Sequence, residues 1–420
     1  MKNMNTRFLS AFLAASVLTG CSSDEPGNEN GSNPRQAIEI SRSQQDVVSA
    51  QNDFATRLFS HAVNEGNNVI SPLSVSMAMS MAANGATGET YDEICGALGL
   101  EGADINEVNA LHRTLVDRLP AADRLTRLSI ANSIWIDNGF ECRDGYSETV
   151  GGIFSASAES VDLDAPATVG LINRWVSDNT AGRIPAYLDS GFFDEADVMA
   201  LVNALYFKSV WSEPFSRELA GNATFHNASG RDVKIDMMTS QACPAIAGED
   251  GERVAALSYG NGAFVFTAIL PPAGKGVTEY ASEINGARID KWMESLGGLS
   301  EQTAISARLV MPRFRTESDF ELSAVLRSLG VCRAFTADAE FGKITDGRIK
   351  ISKIFQKTVI EVDEKGAEAS SATTVKPGYV TSVVPLAEEI VLNRPFIYTI
   401  SESSTGAILF MGNVSELEGE

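Results

Sequence analysis

Ala256-Leu257-Ser258-Tyr259-Gly260 comes near the G-x-S-x-G turn that presents a nucleophilic serine but does not complete it, and the chain has no H-E-x-x-H and no Walker loop. Its three histidines, His61, His112 and His226, fall in the first expected helix, the third expected helix and a turn-like stretch, so each is expected at the surface rather than as a general base. The five cysteines, Cys21, Cys95, Cys142, Cys243 and Cys332, form no C-x-x-C pair and no metal-ligand spacing. The last four are expected as buried thiols, and which of them, if any, pair in a disulfide stays open. The chemistry is therefore chemistry done to this chain rather than by it, with no metal and no cofactor expected. Two places invite it: Cys21, and a long stretch near the C terminus.

Cys21 closes Leu18-Thr19-Gly20-Cys21, behind Lys2, Arg7 and the apolar run Phe8–Ala15, which is too short to span a bilayer. Residues 1–20 read as a secretion signal whose ending resembles a bacterial lipobox, so Cys21 is expected to be acylated. Ser22 to Pro34 is polar and rich in Gly and Pro and cannot bury enough apolar surface to fold, so residues 21–45 are expected as a flexible lipid-anchored linker and 46–420 as one domain. Acidic residues directly after the cysteine look like an export signal to the outer surface, or equally a soluble linker. The expected location is the cell envelope, anchored in the outer membrane.

The second place runs from Asp363 to Pro385, longer than the ~12–15 residues that a compact domain normally leaves without structure. From Ala367 to Thr374 every residue except Glu368 is small, and none is Pro or Gly, so the stretch can pair as a strand. Ala367, Ala369, Ser371 and Thr373 would then face one way and Glu368, Ser370, Ala372 and Thr374 the other. On composition alone, a flexible low-complexity loop fits equally well.

The elements that must carry this segment follow from periodicity. Val47, Ala50, Phe54, Leu58 and Ala62 mark an amphipathic helix. Ser71-Pro72 starts a second, ending at Asn84-Gly85, where a left-handed residue is easily placed, and Ile105, Val108, Leu111, Leu115 and Leu119 mark a third. Leu128, Ile130, Asn132, Ile134 and Ile136 share one face of a strand, while Ala200–Phe207 is apolar almost throughout, as a central strand buried on both faces would be. Phe264–Leu270, Ile351–Val362, Phe396–Ile400 and Ala407–Met411 read as further strands. Helices gather early and strands late, so the class is α+β. A net charge of −22, with no stripe of cations, argues against nucleic acid and gives a weak preference for basic partners.

Glu364-Lys365-Gly366-Ala367-Glu368-Ala369-Ser370-Ser371-Ala372-Thr373 resembles the hinge of an inhibitory serpin. Asn68–Ser74, Gly85–Thr90, Trp175–Gly182, Leu201–Lys208 with Trp211, Met237-Met238, and Asn393–Phe396 with Leu409–Gly412 match motifs of the same family in the same order. The resemblance implies three sheets, about nine helices and an exposed reactive-centre loop at about 364–392. It implies a monomer that a serine protease attacks, and that traps the acyl-enzyme when the freed hinge inserts as a new strand. A member that has lost inhibition and serves as a carrier is the alternative.

Within that resemblance, Ala367, Glu368, Ala369 and Thr373 belong to the inserting hinge, Gly366 lets the backbone turn, and Glu364 pairs with Arg313. Trp211 sits at the upper end of the opening sheet, and Ser71, Ser74 and Asn203 form a polar cluster beneath it, with Gln356 where many members carry His. The usual spacing puts the scissile bond at Val380-Thr381, with Tyr379-Val380 as rival. Val suits an elastase-like pocket and Tyr a chymotrypsin-like one.

Overall fold

Ser41 starts the first helix among the described residues: its hydroxyl accepts from the Gln44 N–H at 3.1 Å while the Gln44 side chain accepts from the Ser41 N–H at 2.9 Å, a reciprocal cap. The computed structural model describes residues 33–184, 188–248, 251–297, 305–364 and 388–419. Residues 34–420 form one compact unit. Ile38 is buried and its N–H donates to Ser404 Oγ at 2.8 Å, so the folded unit reaches further toward the N terminus than the apolar periodicity from Val47 indicates. The helices among the described residues are α1 (Arg42–Ala62), α2 (Pro72–Gly85), α3 (Gly88–Ala97), α4 (Ile105–Arg118), α5 (Asp144–Phe154), α6 (Pro166–Asn179), α7 (Val277–Ala281), α8 (Gly286–Gly297) and α9 (Ser323–Ser328).

The strands make two hydrogen-bonded sheets. The smaller runs in the order β10 (Phe314–Glu321), β11 (Lys353–Val362), β4 (Met199–Lys208), β2 (Arg127–Asp137), β3 (Ser157–Val161). The larger runs β1 (Asn68–Ile70), β14 (Ile408–Val414), β13 (Phe396–Glu402), β8 (Phe264–Leu270), β7 (Arg253–Tyr259), β6 (Asp232–Ala247), β9 (Ile305–Pro312), β12 (Glu388–Val391), with β5 (Ser216–His226) also on β6. The expected α+β class is present; among the described residues the strands join in these two hydrogen-bonded sheets, with β6 spanning the larger one. That long strand pairs with β7 over Ala245–Ala247 only, and its register against β9 shifts between Thr239 and Ala242.

The main core lies between the two sheets, around α2. This helix is buried at every residue but Asn84, as a helix of small and apolar residues on all sides must be. Ser71 caps it and Pro72 opens it. Gly85 does not serve the left-handed turn expected of it: Ala86 ends the helix in extended backbone, and a Cβ on Gly85 would lie 2.3 Å from Ile344 Cγ1. The glycine is there for close packing. β4 is buried on both faces, Leu201, Leu205 and Phe207 toward the main core and Ala200, Val202 and Ala204 toward a second core. There Ile172 and Val176 of α6 meet Ala131 and Trp135 of β2, with Trp175 edge-on to Trp135 at 6.2 Å.

Two expectations about polar side chains fail. His61 and His226 are exposed, but His112 is fully buried on α4, against Phe154 and 2.6 Å from Gln51 Nε2. It takes a position one turn from Val108 and Leu115, on the apolar face. Of the four cysteines expected buried, Cys95 and Cys243 are, whereas Cys142 is half-buried and Cys332 exposed, and all four are free thiols. Burial drives the His112 pKa down to about 3. A folded-state pKa below the unfolded value of ~6.5 means the unfolded chain binds the extra proton, so stability is full above pH 6.5 and falls as pH drops toward 3. Denaturant titrations across that window should show this group contributing a slope of about 1.4 kcal/mol per pH unit. That contribution should vanish in His112→Phe.

Candidate functional site

The feature that singles out one place in the fold is a parallel pair in the middle of the smaller sheet with an antiparallel neighbour on either side. The other parallel pairs among the described residues, β2–β3 and β9–β12, involve edge strands. β11 pairs with β4 in parallel from Lys353↔Ala200 to Val359↔Tyr206, while β10 lies antiparallel to β11 and β2 antiparallel to β4. Beyond Val359 the two strands part: β11 continues to Val362 and then Asp363 and Glu364, and β4 ends at Lys208. The chain leaves the sheet at this upper end, entering the segment 365–387, and returns as β12 on the larger sheet.

The exit is anchored by three groups. The Trp211 indole N–H donates to the Asp363 carbonyl at 2.7 Å, and the Phe215 N–H to the Glu364 carbonyl at 3.4 Å. Arg313 Nε lies 2.9 Å from Glu364 Oε1, with its Nη2 3.6 Å from Asp236 Oδ2. Trp211 is 4% exposed and stacks on Tyr259 with centroids 4.2 Å apart, braced by Phe215 and Phe266 edges. Burial, with the nearby Tyr398 hydroxyl and Asp363 carboxylate, pushes the Tyr259 phenol well above its ordinary pKa, so it stays neutral. The guanidinium is half exposed, so its ion pair with Glu364 positions the chain more than it stabilises the fold.

Midway down the seam, on the α2 side, a polar cluster crosses it. Gln356 Nε2 donates to Asn203 Oδ1 at 2.9 Å and to the Ser71 carbonyl at 3.0 Å, and Gln356 Oε1 accepts from the Ser71 N–H at 2.8 Å. Asn203 Nδ2 in turn donates to Ser74 Oγ at 2.6 Å and to Asn132 Oδ1 at 2.5 Å. Gln356 and Asn203 are register partners across the seam, so this amide pair ties β11 to β4 by side chains as well as backbone. Each is buried, and each buried amide is worth most when all its groups are met.

Ser71, Ser74, Asn203 and Gln356 are thus brought together, as are Trp211, Arg313 and Glu364, in two groups on one seam. Gly366, Ala367, Glu368, Ala369, Thr373, Tyr379, Val380 and Thr381 lie outside the described residues, as does Cys21. Sequence reasoning missed Asn132 as a member of the cluster. The signal was present: a lone amide on the apolar face Leu128, Ile130, Ile134, Ile136 of β2.

Comparison with known proteins decides the lineage. The model of the family Serpin (serine protease inhibitor) matches residues 49–417. The chain belongs to the serpin family. It is similar to Serpin-Z4 of Hordeum vulgare, 31% identical over 88% of this chain and 96% of the relative. The crystal structure of tengpin, a thermophilic serpin, in the native state superposes with a TM-score of 0.80 at 30% identity, covering 92% of this chain and 97% of tengpin. Human thyroxine-binding globulin complexed with its hormone shares the fold, at TM-score 0.79 and 24% identity over 89% of this chain and 99% of the globulin.

Within this serpin, the cluster on the seam predicts the cost of its own loss. Gln356→Leu strands the buried Ser71 N–H and Asn203 Oδ1, and should lower the unfolding free energy by about 3 kcal/mol. Urea denaturation of the intact protein measures it.

Proposed function

We propose that this serpin is a suicide-substrate inhibitor of serine proteases of elastase-like or chymotrypsin-like specificity. The observation that supports the reading is the parallel β4–β11 pair with a strand-competent segment leaving its upper end. A chain that turns back from the top of β11 runs antiparallel to both β11 and β4. Its entry between them would exchange one parallel ladder for two antiparallel ones, each slightly more stable per residue. The sequence is arranged for that exchange, with small residues from Ala367 to Thr374 and Gly366 at the turn.

In this reading the protease serine attacks the carbonyl of Val380, or of Tyr379, and forms an acyl-enzyme with release of the downstream amine on Thr381 or Val380. Glu364, held by Arg313, and the Asp363 carbonyl, held by Trp211, define the fulcrum about which the freed segment folds back. Gln356 and Asn203 part as the strand enters. The carboxylate–Arg and indole contacts lie at the start of the path, so the hinge begins from a set geometry and less ordering remains to be done before water reaches the ester. Gln356 carries no titratable proton, so sheet opening at this cluster should not itself respond to pH. Ahead of the inhibitor domain, acylated Cys21 would hold a monomer in the cell envelope, at the outer membrane.

Soluble protein from Asn33 onward, mixed with elastase-like and chymotrypsin-like enzymes, should give an SDS-stable covalent band and a new N terminus at Thr381. A new end at Val380 would move the bond to Tyr379-Val380. Thr373→Arg, which places a long cation in the entering strand, should be cleaved without forming that band. Clipped protein should melt at a higher temperature than intact protein, and equal melting would sink the inhibitor assignment.

A further inference from the structure

A third contact crosses the β4–β11 seam, at its lower end and on the face opposite α2. Lys353, the first residue of β11, donates from Nζ to the Phe192 carbonyl and lies 2.8 Å from Asp197 Oδ2. Its ammonium also sits 4.8 Å from the Phe192 ring centroid and 5.5 Å from that of Phe193. The Phe192 ring in turn meets Phe355 of β11 edge-on at 5.1 Å. Asp197 is 9% exposed and Lys353 is the cation that meets it.

The segment that makes these contacts belongs to β4, because Asp197 and Val198 lead directly into Met199, the first residue of that strand. At its other end Leu188 exchanges two hydrogen bonds with Asn173 of α6, at 2.7 and 2.8 Å. The segment therefore starts on α6, which covers β2 and β4, reaches over to β11, and comes back to β4. Opening the seam from top to bottom must pull Lys353 away from Phe192 and Asp197.

Lys357, one turn of the pleat away from Phe355 on the same face, shows the contrast. Burial alone would lower its pKa, yet hydrogen bonds and charge from Asp319 and Glu317 raise it, and both of those acids lie on β10. Its ion pairs stay on the β11 side and do not resist parting from β4. Of the two lysines, Lys353 is the one tied across among the described residues.

Resting on the insertion reading above, we infer that Lys353, with Phe192 and Asp197, is a latch that holds the lower end of the seam shut and sets how fast an entering strand completes its insertion. Strand residues advance equally, so a segment folding back from Glu364 reaches the level of Lys353 after about eleven residues, once Ala367–Thr374 is already in place. The latch then acts last. It determines how many reactive-loop cleavages end in release of an active protease rather than in a trapped one. Lys353 is a positioning residue, since it touches neither the protease nor the bond that is cut.

The test uses Lys353→Met, which keeps the aliphatic stem and loses the charge, with Lys353→Arg as the conservative partner. A synthetic peptide of residues 366–379 serves as the entering strand, so that no protease is needed, and its uptake is followed by the rise in melting temperature. Lys353→Met should take up the peptide about three- to tenfold faster than the parent, and Lys353→Arg at close to the parent rate. The intact Lys353→Met protein should melt lower than the parent, while the clipped, inserted forms of the two should melt alike. Equal uptake rates, or clipped forms that differ as much as the intact ones, would make Lys353 ordinary packing and overturn the latch. If the parent neither takes up peptide nor gains stability when clipped, insertion itself is absent, and the inhibitor reading falls together with the latch.

Discussion

Two parallel strands held side by side in the middle of a sheet, β4 and β11, carry the rest of this protein. Their slanted ladder is the weaker kind of pairing, and their outer neighbours β2 and β10 are both antiparallel to them. Nothing in the amphipathic pattern of either strand demands this: β4 is apolar almost throughout and would accept a partner of either direction. The parallel choice puts the weaker ladder at the centre of the sheet, and β11 leads from it toward the segment 365–387, whose small residues the proposed function draws on.

The contacts that cross this pair are of different physical kinds. At the top the Trp211 indole and the Arg313 guanidinium grip a backbone carbonyl and a carboxylate of the departing chain. In the middle the Gln356 side-chain amide donates a buried hydrogen bond to Asn203 Oδ1, whose worth comes from the absence of water. At the bottom Lys353 combines a carbonyl, a carboxylate and two ring faces. Between these polar contacts the facing register pairs are largely apolar, among them Leu201–Ile354 and Val202–Phe355.

The larger sheet and α2 supply the rigid counterpart. Trp211 and Phe215 reach the upper end because Tyr259 and Phe266 of the larger sheet brace them, and Asp236 of β6 shares Arg313 with Glu364. The two ends of the segment 365–387 are thereby tied to one body, through Glu364 on one side and β12 on the other, where Arg253 Nε lies 2.6 Å from Glu388 Oε1.

By itself the sequence determined the helices and strands with strong periodicity, the capped start of α2, the buried character of β4, the α+β class and, through the hinge motif, the family. The residues of both polar groups on the seam, Asn132 excepted, came from the family resemblance rather than from the pattern of the strands. Only the tertiary structure decided which of those residues meet, and it added others. Lys353 looks unremarkable in line, and Asn132, though it stands out as a lone amide on an apolar face, gives no sign of what it meets, since a strand's pattern does not say which strand will lie beside it. His112 was misplaced for a related reason: one imidazole on a helix is read as surface until the neighbouring Gln51 and Phe154 close over it. Gly85 was read as a turn because the sequence shows its freedom of backbone, whereas the folded chain uses its lack of a side chain against Ile344. Periodicity is local and survives in one dimension, but burial and pairing are made by residues that only folding brings together.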